Sequence, residues 1–182
     1  MFTIETRRLR LRDMQPEDTE AFVALTRDEK YRRFYHDDDC TPAHYRQLAA
    51  LFMAQAQECP RTHYQLAVEL KATGQFIGIA CLRTEADRQA AIGCGLNRHY
   101  HGKQLMEEAA DALMTFGFTQ CGLHRVYAET LSANVPALRL CRLLGMRQEA
   151  RFKQHRFFKD QWWDTIVMAI LRNEWEQRSP RC

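Results

Sequence analysis

Apolar and polar positions alternate from Ile4 to Arg12, with Leu9 and Leu11 set among arginines at 7, 8, 10 and 12. That period of two predicts a half-buried first strand. The period then changes. Pro16-Glu17-Asp18 opens a helix with proline and acids in its first turn, where the helix dipole favours them. Ala21, Phe22 and Leu25 share one face of it. A second helix is predicted from Pro42 to Gln57, with Tyr45, Leu48, Ala49, Phe52 and Met53 at helical spacing. Between the two runs a polar loop, Tyr35-His36-Asp37-Asp38-Asp39-Cys40, and Pro60 closes the helical part. Tyr64 to Leu70 and Phe76 to Leu82 read as strands joined by the glycine-containing loop Lys71 to Gln75, and Ala90 to Leu96 as a third.

The strongest helical pattern runs from Gly102 to Gln120. Leu105, Met106, Ala109, Ala110, Leu113, Phe116 and Gly117 form one face, away from Lys103, Glu107, Glu108, Asp111 and Thr115. His124 to Leu131 reads as another strand. Asn134 is a good N-cap, with Val135-Pro136 in the first turn, Leu138, Cys141 and Leu144 on the buried face, and Gly145-Met146 as the C-terminal stop. Two further strands, Arg147 to Phe158 and Gln161 to Leu171, turn at Lys159-Asp160. Nothing repeats and no linker divides the chain. The order of elements is that of one mixed α/β domain.

Composition narrows the function without naming it. The chain has 182 residues, 46% hydrophobic and 27% charged, which fits a globular domain and not a disordered one. A net charge of +3 is too mild to argue for nucleic acid or an anionic membrane as partner. Seven cysteines, at 40, 59, 81, 94, 121, 141 and 182, include no C-x-x-C pair. Free thiols in a reducing, cytoplasmic setting are expected, and neither a zinc site nor a disulfide framework. The N-terminus lacks the apolar core of a signal peptide, and no apolar run reaches the roughly 18 residues of a membrane span.

The chemistry points to one junction, Ile92-Gly93-Cys94-Gly95-Leu96-Asn97-Arg98-His99-Tyr100-His101-Gly102-Lys103-Gln104-Leu105-Met106. A strand passes through a short basic turn into the longest helix. Free amides and the positive dipole at a helix N-terminus favour an anion such as a pyrophosphate. Gly102 allows close backbone approach, and Arg98, His99, His101 and Lys103 add positive potential; a surface turn that is merely basic is the plainer alternative. No Walker A, G-x-G-x-x-G or G-x-S-x-G sequence is present, nor an H-x-x-x-H pair. The His-Asp-Asp-Asp loop lacks calcium-loop spacing, so no metal is expected.

This strand, basic turn and helix, followed by a strand and an Asn-capped helix, resembles the GNAT family of acyl-CoA-dependent N-acetyltransferases. The closer likeness is to the RimJ/RimL branch of ribosomal-protein N-terminal acetyltransferases. It rests on Thr6 to Arg12, on Ile92-Gly93 through Gly102-Lys103-Gln104-Leu105-Met106-Glu107-Glu108-Ala109, on Gly122 to Val126 with Asn134 and Leu144-Gly145-Met146, and on Asp160 to Asp164. The resemblance implies a central, mostly antiparallel twisted sheet of about seven strands flanked by about four helices. Residues 1–60 would supply a strand and the acceptor-side helices, 61–145 the acetyl-CoA-binding core, and 146–175 a C-terminal hairpin. It further implies acetyl transfer from acetyl-CoA to a primary amine by direct attack in a ternary complex. A non-catalytic acyl-CoA-binding or sensor module is the alternative.

The resemblance also assigns residues. Cys94, Leu96, His101, Gly102, Lys103, Gln104, Leu105, Met106 and Asn134 would hold the cofactor. A backbone N–H from Cys94 to Leu96 would face the oxyanion. Glu129 would be the base and Cys141 the acid. Three positions depart from the family. Its pyrophosphate loop, Q/R-x-x-G-x-G/A, reads His99-x-x-Gly102-x-Gln104 here. Because alanine is tolerated at that last position, an ordinary backbone angle is expected at Gln104, with side-chain bulk as the difficulty. Cys141 stands where many relatives carry a tyrosine acid, with Ala137 in place of a RimL-like serine, and Ala91 replaces a frequent glutamate. Tyr31, Phe34, Tyr35 and Asp37 to Asp39 would form an acidic rim with aromatic walls, suited to a protonated amine: a protein N-terminus, a polyamine or an aminoglycoside-like drug. The final hairpin, with Phe157, Phe158, Trp162 and Trp163, carries aromatic surface for core packing or for a homodimer contact.

Overall fold

The structure, a computed structural model, describes residues 1–178, so Cys182 lies outside the described residues. Eight strands form one sheet in the order β1-β2-β3-β4-β5-β6-β8-β7. They are β1 (Thr3–Glu5), β2 (Leu9–Asp13), β3 (His63–Leu70), β4 (Gln75–Glu85), β5 (Gln89–Leu96), β6 (Arg125–Leu131), β7 (Arg147–Phe158) and β8 (Gln161–Leu171). Every neighbouring pair is antiparallel except β5 and β6. The helices are α1 (Thr19–Ala24), α2 (Glu29–Arg32), α3 (Pro42–Gln55), α4 (Leu105–Thr119), α5 (Val135–Leu143) and α6 (Arg172–Glu176).

Both sheet faces are covered, which is why β3 is buried without a break from Gln65 to Glu69. Leu66 and Val68 enter a core with Leu105, Ala109, Leu113, Phe118, Leu138 and Cys141 from α4 and α5. Ala67 and Ile79 pack on the other face against Phe22, Tyr45, Ala49 and Phe52 from α1 and α3. α4 lies close on the sheet: a Cβ at Gly117 would sit 2.9 Å from Leu123 and 3.1 Å from Leu82. α5 ends as expected. Met146 N–H donates to Cys141 C=O at 2.9 Å and Gly145 N–H to Arg142 C=O at 3.0 Å, with Gly145 at φ +84. These are the two bonds of a Schellman stop.

The sheet has eight strands where about seven were expected, because Ile4 to Arg12 is two strands and not one. The chain turns at Thr6 to Arg8, and β1 folds back on β2. The turn is closed locally, with Thr6 N–H donating to Leu9 C=O and Leu9 N–H to Thr6 Oγ1 at 2.9 Å each, and it is fastened from far along the sequence. Glu108, on α4, accepts from Thr6 Oγ1 at 2.6 Å and from Arg8 N–H and Arg8 Nε at 2.7 Å each. Burial alone would raise this carboxyl, but the three hydrogen bonds hold it below the usual range. Four of the helices were anticipated; α2 and α6, of four and five residues, were not. α4 begins at Leu105, three residues after the expected Gly102. In the last hairpin Phe158 and Trp163 are buried, whereas Phe157 (54% exposed) and Trp162 (58%) face outward.

Candidate active site

β5, α4 and β6 form one parallel crossover, so the carboxyl ends of both strands open on the same side as the N-terminus of α4. The parallel ladder is short. It runs from Gln89↔Arg125 to Ala91↔Tyr127. Beyond it β5 stays paired with β4 as far as Leu96, and β6 with β8 as far as Leu131. The two strands therefore part into a wedge. A strand edge that has lost its neighbour offers peptide groups to an extended, amide-bearing ligand.

The loop from the wedge to α4 is built by local bonds. Asn97 Oδ1 accepts from His99 N–H at 3.1 Å and starts a tight turn at Arg98–Tyr100. The His101 ring meets Leu96 C=O at 3.1 Å, and the Tyr100 hydroxyl donates to Gln75 at 2.7 Å. Lys103 lies over the Tyr100 ring at 5.3 Å. Arg8, already held by Glu108, donates to Lys103 C=O at 3.0 Å. Glu108 thus ties the first hairpin to the start of α4, a contact that pattern along the chain cannot reveal.

Two residues here are left-handed: Gly102 at φ +75 and Gln104 at φ +57. The expectation of an ordinary angle at Gln104 is overturned. Gln104 is the N-cap of α4, gives no side-chain cap bond, and points into solvent. A Cβ at Gly102 would meet nothing within 4 Å. The notch is open, and Gln104 does not fill it. Leu105 is buried and Met106 packs on the core, so any bond they make to a ligand comes from their first-turn amides. An uncapped, dipole-positive helix start beside an open backbone position suits a diphosphate. A left-handed non-glycine residue costs about 1 kcal/mol, so Gln104→Gly is expected to raise Tm by about 2–4 °C. It should leave acetyl-CoA affinity within about threefold, because the side chain lies outside the notch. Thermal melts and calorimetry check both; a lower Tm would contradict the left-handed assignment.

The two catalytic candidates flank the wedge on opposite faces of the sheet. Alternation along β6 sends Val126 and Ala128 into the core with Cys141, and Tyr127, Glu129 and Leu131 the other way. Glu129 is exposed, and among the described residues no hydrogen bond or ion pair engages its carboxylate. Tyr127 donates to Glu85 at 2.8 Å. Cys141 is buried, and burial pushes its thiol up to about 11. Cys94 faces the same core, and burial raises it too. Asn134 Oδ1 accepts from Ala137 N–H at 3.3 Å, the predicted cap, which leaves the amide NH₂ free to donate elsewhere.

On the face opposite α4, a phenol cluster covers β5. The Tyr45 hydroxyl donates to Tyr31 at 3.0 Å, Cys40 lies 4.0 Å from Tyr45, and the Tyr35 ring stacks on Tyr31 at 5.5 Å. Burial raises the Tyr31 and Tyr35 phenols, although the outer side of the Tyr35 ring leaves that residue 37% exposed. The acidic rim is less acidic than the sequence suggested. Arg32 and Lys159 lie 3.7 Å and 3.5 Å from Asp37. A neighbouring groove is lined by Lys30, Arg33 and Lys159 with Glu29, over Trp163.

Residues 8–147 match the family described as acetyltransferase (GNAT) domain. The Bacillus subtilis (strain 168) protein YnaD, an uncharacterized N-acetyltransferase, is 28% identical over 173 residues, or 94% of this chain and 98% of that protein. A GNAT-family acetyltransferase from Bacillus anthracis superposes with a TM-score of 0.82 at 26% identity, over 94% of this chain and 99% of its own. RimL, described as ribosomal L7/L12 alpha-N-protein acetyltransferase in complex with coenzyme A, shares the fold at a TM-score of 0.81 and 17% identity, over 93% and 98% of the two chains.

Proposed function

Because this chain belongs to the GNAT acetyltransferase family, we propose that it carries the acetyl group of acetyl-CoA directly to a primary amine, on a protein N-terminus or a small molecule, in a ternary complex. The observation that carries the reading is the parting of β5 from β6 beside the uncapped start of α4. The residues fit the cofactor. Amides from Gly102 to Met106 face the diphosphate, with Lys103 adding positive charge and the His101 ring beside it, held at Leu96 C=O. Cys94 and Leu96 present backbone to the pantetheine arm and the thioester, and the Asn134 amide donates to that arm while its oxygen caps α5.

Glu129 takes the proton that an alkylammonium, with a pKa of about 10, must lose before it attacks. Backbone N–H groups of β5 bind the oxyanion. Cys141 stays protonated at neutral pH, and its thiol sits above the departing thiolate, whose pKa is about 8.5. Full transfer from Cys141 is therefore uphill by roughly 3 kcal/mol. Cys141 steadies the thiolate by a hydrogen bond, and solvent delivers the proton. The setting is the cytoplasm, where six described cysteines remain free thiols.

Calorimetry with acetyl-CoA, followed by release of free CoA thiol with a panel of amines, tests the reading. Glu129→Gln is expected to lower kcat about 100-fold at pH 7 with acetyl-CoA affinity unchanged. The deficit should shrink towards pH 10, where the amine deprotonates unaided. Cys141→Ala should cost about tenfold or less. Full activity in Glu129→Gln would remove it as base, and no heat with acetyl-CoA would remove the proposal.

A further inference from the structure

Gly93 and Gly95 lie on the same face of β5, opposite Cys81 and Ile79 of β4, on the side of the phenol cluster. They are not equally accessible. A Cβ at Gly95 would sit 2.8 Å from the Tyr31 hydroxyl and 3.4 Å from Tyr31 Cε2. A Cβ at Gly93 would meet only one nitrogen of Arg83, at 3.8 Å. One position is sealed, and the next on that face is open.

Tyr31 is a fixed wall. Asp28 caps α2 by accepting from Lys30 N–H at 2.8 Å and Tyr31 N–H at 3.1 Å. The Tyr45 hydroxyl holds the Tyr31 hydroxyl at 3.0 Å, and Tyr35 stacks on the ring. The opening is bounded by Arg83 on β4 and by Tyr127 and Glu129 on β6, whose side chains share its face. Residues two apart on a strand are separated by about 7 Å, so the opening is about one residue wide.

We infer that the acceptor amine reaches the acyl carbon across Gly93, and that Tyr31, closed over Gly95, is the wall that holds it against Glu129 and selects amines on an unbranched carbon. A substituent on the carbon next to the nitrogen collides with Tyr31, whereas a CH₂–NH₂ group passes. The inference rests on the proposal that acetyl-CoA lies along β5. It adds the side of approach and the class of amine.

The test uses the full chain, acetyl-CoA, and n-propylamine against isopropylamine, with glycyl and valyl peptides as a second pair. Wild type should favour the unbranched member of each pair at least tenfold in kcat/KM. Gly93→Ala should fold normally and bind acetyl-CoA within twofold, yet lose at least tenfold in kcat/KM for every amine. Tyr31→Ala should bring the branched and unbranched rates together. Unchanged turnover in Gly93→Ala, or no preference in wild type, would overturn the inference, whereas loss of acetyl-CoA binding by wild type would strike the underlying reading. A melting cycle decides the point if wild type acetylates none of these amines. Gly95→Ala should lower Tm and added Tyr31→Phe should restore most of it, because only the hydroxyl is in the way; additive effects would show that Tyr31 does not seal Gly95.

Discussion

Gly102→Asp should bind acetyl-CoA about thirtyfold more weakly than Gly102→Asn. The two replacements have the same shape, and both residue types tolerate the left-handed angle of φ +75 found there. Their backbone strain therefore cancels in the comparison, and only the charge differs. The position is open, so either side chain is accommodated without a clash. At an effective dielectric between those of a protein surface and water, a carboxylate near a diphosphate costs about 2 kcal/mol, which is about thirtyfold in affinity. The Asp-to-Asn ratio should fall as salt is raised, since the site is exposed. Glu108, in the first turn of α4, does not oppose a phosphate in the same way, because Arg8 holds it at 2.7 Å. Equal affinities for the two variants in calorimetry would mean that no phosphate lies at the head of α4.

The parts of the molecule that could be read from the chain are those whose cause is local. Asn134 and Gly145 mark the two ends of α5 by bonds that span a few residues, and both ends lie where expected. β7 and β8 match their expected runs to the residue, with both turn residues, Lys159 and Asp160, at positive φ as a two-residue hairpin turn requires. The basic junction was legible because a strand, a turn and a helix start are contiguous. What was hidden depends on distant partners. Glu108 fastens the turn that divides the first strand from a hundred residues away. Lys159 offsets Asp37 across the fold. Tyr31 closes Gly95, a pairing that only the placement of α2 over β5 creates. The handedness of Gln104 was hidden for another reason. Residue type suggests a backbone angle but does not impose one, and a glutamine in a place that relatives fill with alanine gave no sign of a positive φ.

Arg12→Ala should be the most destabilising single change, about 3–5 kcal/mol, with Tm lower by about 6–20 °C. The alternation that reads Arg12 as a polar position on a half-buried strand misses its surroundings, since the residue is 8% exposed. Its guanidinium grips Asp18 through two bonds, at 2.7 Å and 2.9 Å, and Glu69 through a third at 2.8 Å. Hydrogen bonding to Asp18 raises its already high pKa further, so the cation is fixed at every practical pH. Removing it leaves two buried carboxylates, of which Glu69 alone retains a second arginine, Arg10, at 2.8 Å. Lysine should rescue only part of the loss, because one ammonium cannot reproduce the planar fork. The damage should also be one-sided. Asp18 leads into α1 and Glu69 lies on β3, so Arg12 fastens α1 to the sheet on the face opposite α4, while the start of α4 is held separately by Arg8 and Glu108. Below its melting temperature the variant should bind acetyl-CoA nearly as wild type does and lose turnover through a poorer acceptor KM. An equal loss of acetyl-CoA affinity would show that the two halves of the site are not held independently.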